Sequence, residues 1–194
     1  NGMHAHVSLV DESGRNLFDD SSGAPSAPLR QAVAGTLATM EDLQAVFAPH
    51  MNSYRRFQRN SFAPHAPDWG LDNRAAAVRL PEVSGPGARL EHRISGADVN
   101  PYLVLTAILG GMLHGLENPD LRLPPPLDDE AGAHADPLTA DWATAVDIFA
   151  ESAIVADTFG EAFRGIYTAV RRNEIEQLTT AISQIEYRTY LGRL

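Results

Sequence analysis

Apolar residues recur along this chain with two different periods, and the changes of period divide it into elements. Residues 4–9 alternate, placing His4, His6 and Ser8 on one face and Ala5, Val7 and Leu9 on the other, which predicts a strand. Residues 11–28 are rich in Ser, Gly, Asp and Pro and predict a loop. Over residues 29–47 the spacing of Val33, Leu37, Met40, Leu43 and Phe47 predicts one helix, ended by Pro49. Residues 52–72 follow neither period. They hold Pro64, Pro67 and Gly70 beside three arginines and several aromatics, and a long irregular segment of this kind is a candidate functional loop. Two strands are predicted at 75–80 and 89–94, joined by the turn Ser84-Gly85-Pro86-Gly87. In the second, Arg89, Glu91 and Arg93 share one face while Leu90, His92 and Ile94 share the other.

The rest of the chain reads as helical. Asp98-Val99-Asn100-Pro101 combines polar cap candidates with a first-turn proline, predicting a helix that runs to about Leu116. It is apolar nearly all round, which predicts a buried helix. After a Pro-rich loop at 117–136, helices are predicted at 139–158 and 161–190.

Composition narrows the chemistry. The 194 residues, 44% hydrophobic, suffice for one ordinary core. With no cysteine, disulfides and thiolate metal sites are excluded. The near-apolar run 103–113 is too short to span a bilayer and contains Gly110 and Gly111, so a soluble cytoplasmic protein with no membrane partner is expected. A net charge of −10 argues against nucleic acid as a partner. All basic residues are arginines, and between positions 55 and 93 seven of them stand against four acids. Such a segment fits either a small-anion site, since the guanidinium fork grips carboxylate and phosphate, or a set of solvated and structurally paired arginines. The chain opens at Asn1, without an initiator methionine and directly in a predicted strand, so a piece of a longer protein is expected.

Two constellations carry candidate chemistry. His4 and His6 face one side of a strand, as a metal or polyphosphate site requires, although on its own such a pair is more often structural or simply exposed. Arg89-Leu90-Glu91-His92-Arg93 is either a salt-bridge ladder or a hard-oxygen metal ligand, Glu91, flanked by arginines that hold the anions a metal bridges. Phosphoryl transfer uses the second combination, because metals and arginines together offset charge on the transferred group.

Taken in order, these pieces resemble the glutamine synthetase family. Asn1-Gly2-Met3-His4-Ala5-His6-Val7-Ser8 is similar to its Gly-Met-His-x-His-x-Ser motif, and Asn52-Ser53-Tyr54-Arg55-Arg56-Phe57 to its Asn-Ser-Tyr-Lys/Arg-Arg stretch. Asn73-Arg74 with Arg79-Leu80-Pro81 resembles Asn-Arg…Arg-Ile-Pro. Arg89-Leu90-Glu91-His92-Arg93 resembles Arg-Ile-Glu-x-Arg, Asn100-Pro101-Tyr102-Leu103 follows in place, and residues 186–191 resemble the last helix of the family.

The resemblance implies a two-step reaction, in which ATP phosphorylates the γ-carboxylate of glutamate and an amine then attacks the acyl phosphate. It implies His4 and Glu91 as ligands of Mg²⁺ (or Mn²⁺), and His6 and Ser8 as ATP contacts. Arg56 and Arg93 would hold glutamate. Arg74 and Arg79 would hold the ATP phosphates, with Arg74 the catalytic group that stabilises the phosphoryl group in flight, and Arg89 would lie near the nucleotide. It also implies a C-terminal portion of a catalytic domain over residues 1–194, with an N-terminal β-grasp domain and further metal-binding glutamates upstream. The parent would be a homo-oligomeric double ring, and the isolated chain inactive. The implied fold class is α+β, a mainly antiparallel curved sheet bearing the site, with helices on its outer face.

Three departures from the family pattern matter. Phe62 stands before Ala63-Pro64 where glutamine synthetases carry the glutamate that binds and deprotonates ammonium. An aromatic ring receives a cation or lines an apolar tunnel but accepts no proton. Phe62 is therefore either the amine site of an enzyme for organic amines, as in the γ-glutamylpolyamine synthetase branch, or a core residue while another acid serves as base. The Pro-rich loop contains no tyrosine for adenylylation, and the stretch between Arg79 and Arg89 lacks the nucleotide-side lysine of the family. A glutamine synthetase using ammonia and a non-catalytic structural relative are the competing readings.

Overall fold

The computed structural model of the protein describes residues 1–58, 61, 63–127 and 135–192. Four short strands form one sheet in the order β1-β4-β3-β2, with β1 at Ala5–Val7, β2 at Trp69–Leu71, β3 at Val78–Glu82 and β4 at Arg89–His92. β4 pairs antiparallel with both β1 and β3, whereas β2 pairs parallel with β3. The sheet is therefore mixed, with the antiparallel pairings in the majority, rather than purely antiparallel. β2 lies inside the segment predicted to be irregular. Three residues, one of them Gly70, are too few to register as a period.

The parallel pair has an unusual connection. Parallel neighbours normally need a long crossover, yet only residues 72–77 link β2 to β3. Six residues reach roughly 20 Å when extended, ample to return along a three-residue strand. The return demands an immediate reversal after Leu71, and Asp72 supplies it with a left-handed φ of 48°. Asp is among the few non-glycine residues that tolerate this conformation. Asn73 then closes a turn by accepting from the Ala75 N–H at 2.9 Å.

Helices supply most of the remaining core. The predicted helix 29–47 is two: α1, Ala27–Ala38, capped by Ser26, and α2, Gln44–Phe47. The Thr36 and Thr39 hydroxyls bond back to the carbonyls of Ala32 and Gly35, and α1 ends there. Met40 and Leu43, in the intervening turns, are buried all the same, so the apolar spacing runs on unbroken. The predicted helix 139–158 likewise divides into α4, Trp142–Glu151, and α5, Ala153–Phe159, because Ser152 is extended and caps the second piece through Val155 N–H. The predicted helix 161–190 divides into α6, Glu161–Thr180, and α7, Gln184–Tyr190, which begins with a Ser183–Glu186 capping box.

The helix α3, Pro101–Glu117, starts at its Asn100 cap but is not buried on all sides. Tyr102, Leu105, Leu109, Leu113 and Leu116 are exposed. The packed face is chosen by glycine. A Cβ on Gly115 would lie 2.0 Å from the Gln31 carbonyl oxygen, and one on Gly35 would lie 2.2 Å from that of Gly111, so the backbones of α1 and α3 touch. None of the described helices is long and apolar enough to cross a membrane.

His92 on β4 points into the core, where its ring meets that of Phe47 at 4.4 Å between centroids. Among the described residues neither ring nitrogen has a hydrogen-bond partner, although the residue is fully buried. Burial, with a lesser contribution from His4, lowers its pKa from 6.5 to about 3, so it is neutral in the folded state.

Replacing Gly115 by Ala is expected to cost about 1–3 kcal/mol of unfolding free energy by forcing α1 and α3 apart. Gly165→Ala in α6, where nothing among the described residues lies within 4 Å, should gain up to about 1 kcal/mol. Equal effects in denaturant titrations would contradict the close crossing. For His92, the unfolded state binds the extra proton between the folded value of about 3 and the unfolded 6.5, so stability rises with pH through that window. His92→Leu should therefore stabilise more at pH 5 than at pH 7.5, the added gain being about 2 kcal/mol. A pH-independent effect would show that the ring titrates normally.

Candidate active site

The sheet register builds a charged row. His6 and Arg79 lie opposite Glu91 on either side, and the two-residue period brings His4 and Arg93 to the same face. The alternate residues Leu90, His92 and Ile94 are buried behind it. Glu91 is itself only 3% exposed, a carboxylate that needs partners, and four side chains surround it. Arg93 Nη1 donates to Oε1 at 2.8 Å and Arg79 Nη1 to Oε2 at 2.9 Å. His4 Nδ1 lies 3.2 Å and His6 Nε2 3.6 Å from Oε1.

Each arginine of the row has a second anchor. Arg93 donates to the Arg74 carbonyl at 3.0 Å, which ties the β2–β3 connection to β4. Arg89 donates to the Gly87 carbonyl and, through Nε, to His6 Nδ1 at 3.2 Å. Arg79 pairs through Nε and Nη2 with Asp72. Arg56, in a 3-10 helix at Met51–Arg56, donates to the Ile94 carbonyl at 2.9 Å. With Asn1, Gly2, His4, Arg55, Ser61 and Ala63 it lines a cavity of about 370 Å³. Ser53 in the same helix donates to Asp98 at 2.7 Å, fixing the 3-10 segment against the start of α3.

Electrostatics follow from this crowding. Burial, the largest influence on Glu91, pushes its carboxyl up, but the Arg79 hydrogen bond and the charges of Arg93, His6 and Arg79 outweigh it and hold the group below the usual range. For His4, burial and then the Arg93 charge lower the pKa against the opposing pull of Glu91, which leaves the imidazole neutral at pH 7. A neutral imidazole and an ionised carboxylate are the forms that ligate metals. Adjacent donors around a small octahedral cation lie about 3 Å apart, so His4 Nδ1 and Glu91 Oε1 suit one such ion. Among the described residues no three His, Cys, Asp or Glu are grouped to hold a metal, so this pair is at most part of a coordination shell.

The residues singled out in the sequence thus fall into three groups. His4, His6, Arg79, Arg89, Glu91 and Arg93 form one face. Arg56 joins it through the cavity beside His4, Arg74 reaches it by its backbone while its side chain is exposed, and Ser8 is exposed just past β1. Phe62 lies outside the described residues. Asp72 is the participant that the sequence reading missed. The signal available was the pair Asp72-Asn73, residue types suited to a left-handed reversal.

A family model described as glutamine synthetase, catalytic domain, matches residues 1–190. The chain is 36% identical to gamma-glutamylputrescine synthetase of Escherichia coli over 95% of its own length and 39% of that protein's. It is 35% identical to gamma-glutamylethanolamide synthetase of Streptomyces coelicolor, covering 100% of this chain and 42% of the relative. Against glutamate–isopropylamine ligase of a Pseudomonas species the identity is 35%, over 97% and 42% of the two chains. The chain thus spans about two fifths of the length of these curated relatives. Among solved structures, a GmaS/ADP complex superposes with a TM-score of 0.85 at 27% identity, over 98% of this chain and 46% of that one.

Glu91→Gln should destabilise the protein by about 1–3 kcal/mol, because a buried and a part-buried guanidinium bond lose their anionic partner. Glu82→Gln, exposed on the neighbouring strand, should stay within about 0.5 kcal/mol. The Glu91 contribution is full above the ordinary carboxylate range and fades as pH falls through its lowered folded value. Indistinguishable unfolding midpoints for the two variants would refute the burial of the carboxylate.

Proposed function

This chain belongs to the glutamine synthetase catalytic-domain family, and on that footing we propose that it forms the C-terminal catalytic portion of an ATP-dependent ligase joining glutamate to an organic amine. The observation that carries the proposal is Glu91 ringed by Arg79, Arg93, His4 and His6 on one sheet face. An anionic ligand set surrounded by guanidinium groups suits a reaction between two anions, ATP and glutamate.

In the proposed reaction a γ-carboxylate oxygen of glutamate attacks the γ-phosphorus of ATP, releasing ADP and giving γ-glutamyl phosphate. The amine nitrogen then forms a bond to the acyl carbon, phosphate leaves, and the nitrogen loses a proton. Arg93 and Arg56 hold glutamate. Arg79 and Arg74 hold the phosphates, Arg74 following the phosphoryl group as it moves, in keeping with its exposure. His6, Ser8 and Arg89 contact the nucleotide, the bond from Arg89 to His6 keeping that imidazole in one orientation. His4 and Glu91 would hold Mg²⁺ or Mn²⁺, which supplies charge neutralisation between the two anionic substrates. The remaining ligands, the N-terminal β-grasp domain and the double-ring assembly belong to the longer protein, as part of the same proposal, and so does residence in the cytoplasm.

Two features support an organic amine over ammonia. Phe62 precedes Ala63-Pro64, where the resemblance to glutamine synthetases puts the ammonium-binding glutamate, and the three relatives above are named for putrescine, ethanolamide and isopropylamine. Without a carboxylate there, an amine that carries its own apolar or cationic body is the better fit to an aromatic wall.

Full-length protein given ATP, glutamate and a panel of amines is expected to release ADP with an organic amine at a kcat/KM about ten times that with ammonium or more. Turnover with ammonium alone would overturn the amine assignment, and no turnover with any amine would overturn the ligase. The purified 194-residue chain, holding part of the ligand shell, should show none. In the full-length protein Arg93→Gln should lower kcat/KM for glutamate about a hundredfold, whereas an unchanged value would remove Arg93 from the substrate site.

A further inference from the structure

We propose that Asp72 is a positioning residue, which aims the Arg79 guanidinium and sets the turn that presents Arg74; the proposal rests on the reading of Arg79 as a phosphate-binding group. Arg79 leans on two carboxylates. Its Nε and Nη2 both bond Asp72 Oδ1, the former at 2.9 Å, and its Nη1 bonds Glu91 Oε2 at 2.9 Å. A guanidinium has a single N–H on Nε and a pair on each terminal nitrogen. The three bonds fix the plane and leave one N–H on each terminal nitrogen for another anion. With Glu91 alone, the group would keep its rotation about that single bond.

Asp72 is an odd choice for stability. Its side chain is 72% exposed, and an ion pair in that setting contributes little to folding. Its backbone occupies the left-handed region at φ 48°, one of two non-glycine residues described there. Glycine would meet the turn at lower strain but would offer no acceptor, and most residues that offer a side chain would not accept the turn. Aspartate satisfies both demands, which is a reason to hold a strained, exposed acid at this point. The consequence reaches Arg74 as well. The reversal at Asp72 and the Asn73 turn put Arg74 where its carbonyl receives Arg93 Nη2. One residue thus links the arginines on β3, on β4 and on the connection before them.

The test is a set of variants in the full-length enzyme: Asp72→Asn, Asp72→Gly, Arg79→Gln, and Asp72→Gly combined with Arg79→Gln. Asp72→Gly preserves the turn and removes the acceptor, so the unfolding midpoint should stay unmoved while KM for ATP rises about tenfold. Asp72→Asn keeps an acceptor oxygen and should recover most of that loss, whereas KM for the amine should be unaffected in both. In the Arg79→Gln background the Asp72→Gly change should add nothing, the signature of a residue that acts through another. The positioning role is overturned if Asp72→Gly leaves KM for ATP at the wild-type value while Arg79→Gln raises it. It is equally overturned if Asp72→Gly is as harmful without Arg79 as with it. Arg79→Gln leaving KM for ATP unchanged would instead show that Arg79 does not bind phosphate, and both the underlying reading and the role of Asp72 would fall together.

Discussion

A buried carboxylate cannot stand alone, and that constraint organises this molecule. Glu91 sits on the central pair of strands with almost no exposure to water. Its charge is sustainable because Arg79 and Arg93 deliver short bonds to its two oxygens and His4 and His6 approach from the neighbouring strand. Antiparallel pairing of β4 with both β1 and β3 is what makes the arrangement possible. It sets His6, Glu91 and Arg79 in one line across the sheet, and a one-residue slip in either pairing would turn that line toward the core. The register in turn is held from the other side, where Leu90, His92 and Ile94 are packed out of water.

The same strand therefore divides its duties by parity. Odd positions from 89 to 93 carry charge, and even positions carry packing. His92 belongs to the packing side at some cost, since an imidazole whose two nitrogens find no partner among the described residues is a poor core residue. It lies against Phe47 at the end of α2, directly behind the charged row. The touching backbones of α1 and α3 give the helical layer little freedom to shift. Rigid support of this kind is what a site dependent on bond lengths near 3 Å needs.

Much of the site was legible in the sequence because strands advertise their faces. Alternation alone places His4 with His6, and Arg89 with Glu91 and Arg93, and the resemblance in motif order joins the two strands. The parts that were illegible have physical causes. β2 is too short to show a period, and its parallel pairing with β3 follows from a reversal in a single backbone dihedral at Asp72, not from any hydrophobic pattern. The breaks at Ala38 and Ser152 fall where neighbouring apolar residues remain buried, so burial continues through an interruption of the helix. The exposed face of α3 could not be told from its packed face by hydrophobicity. The decision rests on glycines, whose value is the absence of a side chain.

Binding of a divalent ion between His4 and Glu91 is the claim on which the functional account turns, and it can be read without turnover. Mn²⁺ titrated into the full-length protein, with histidine ring resonances followed by NMR, reports distance to the ion directly through paramagnetic broadening. His4 is expected to broaden first and most strongly, and Glu91→Ala to abolish this at the same Mn²⁺ concentration. Broadening that spares His4, or that survives unchanged in Glu91→Ala, would contradict it.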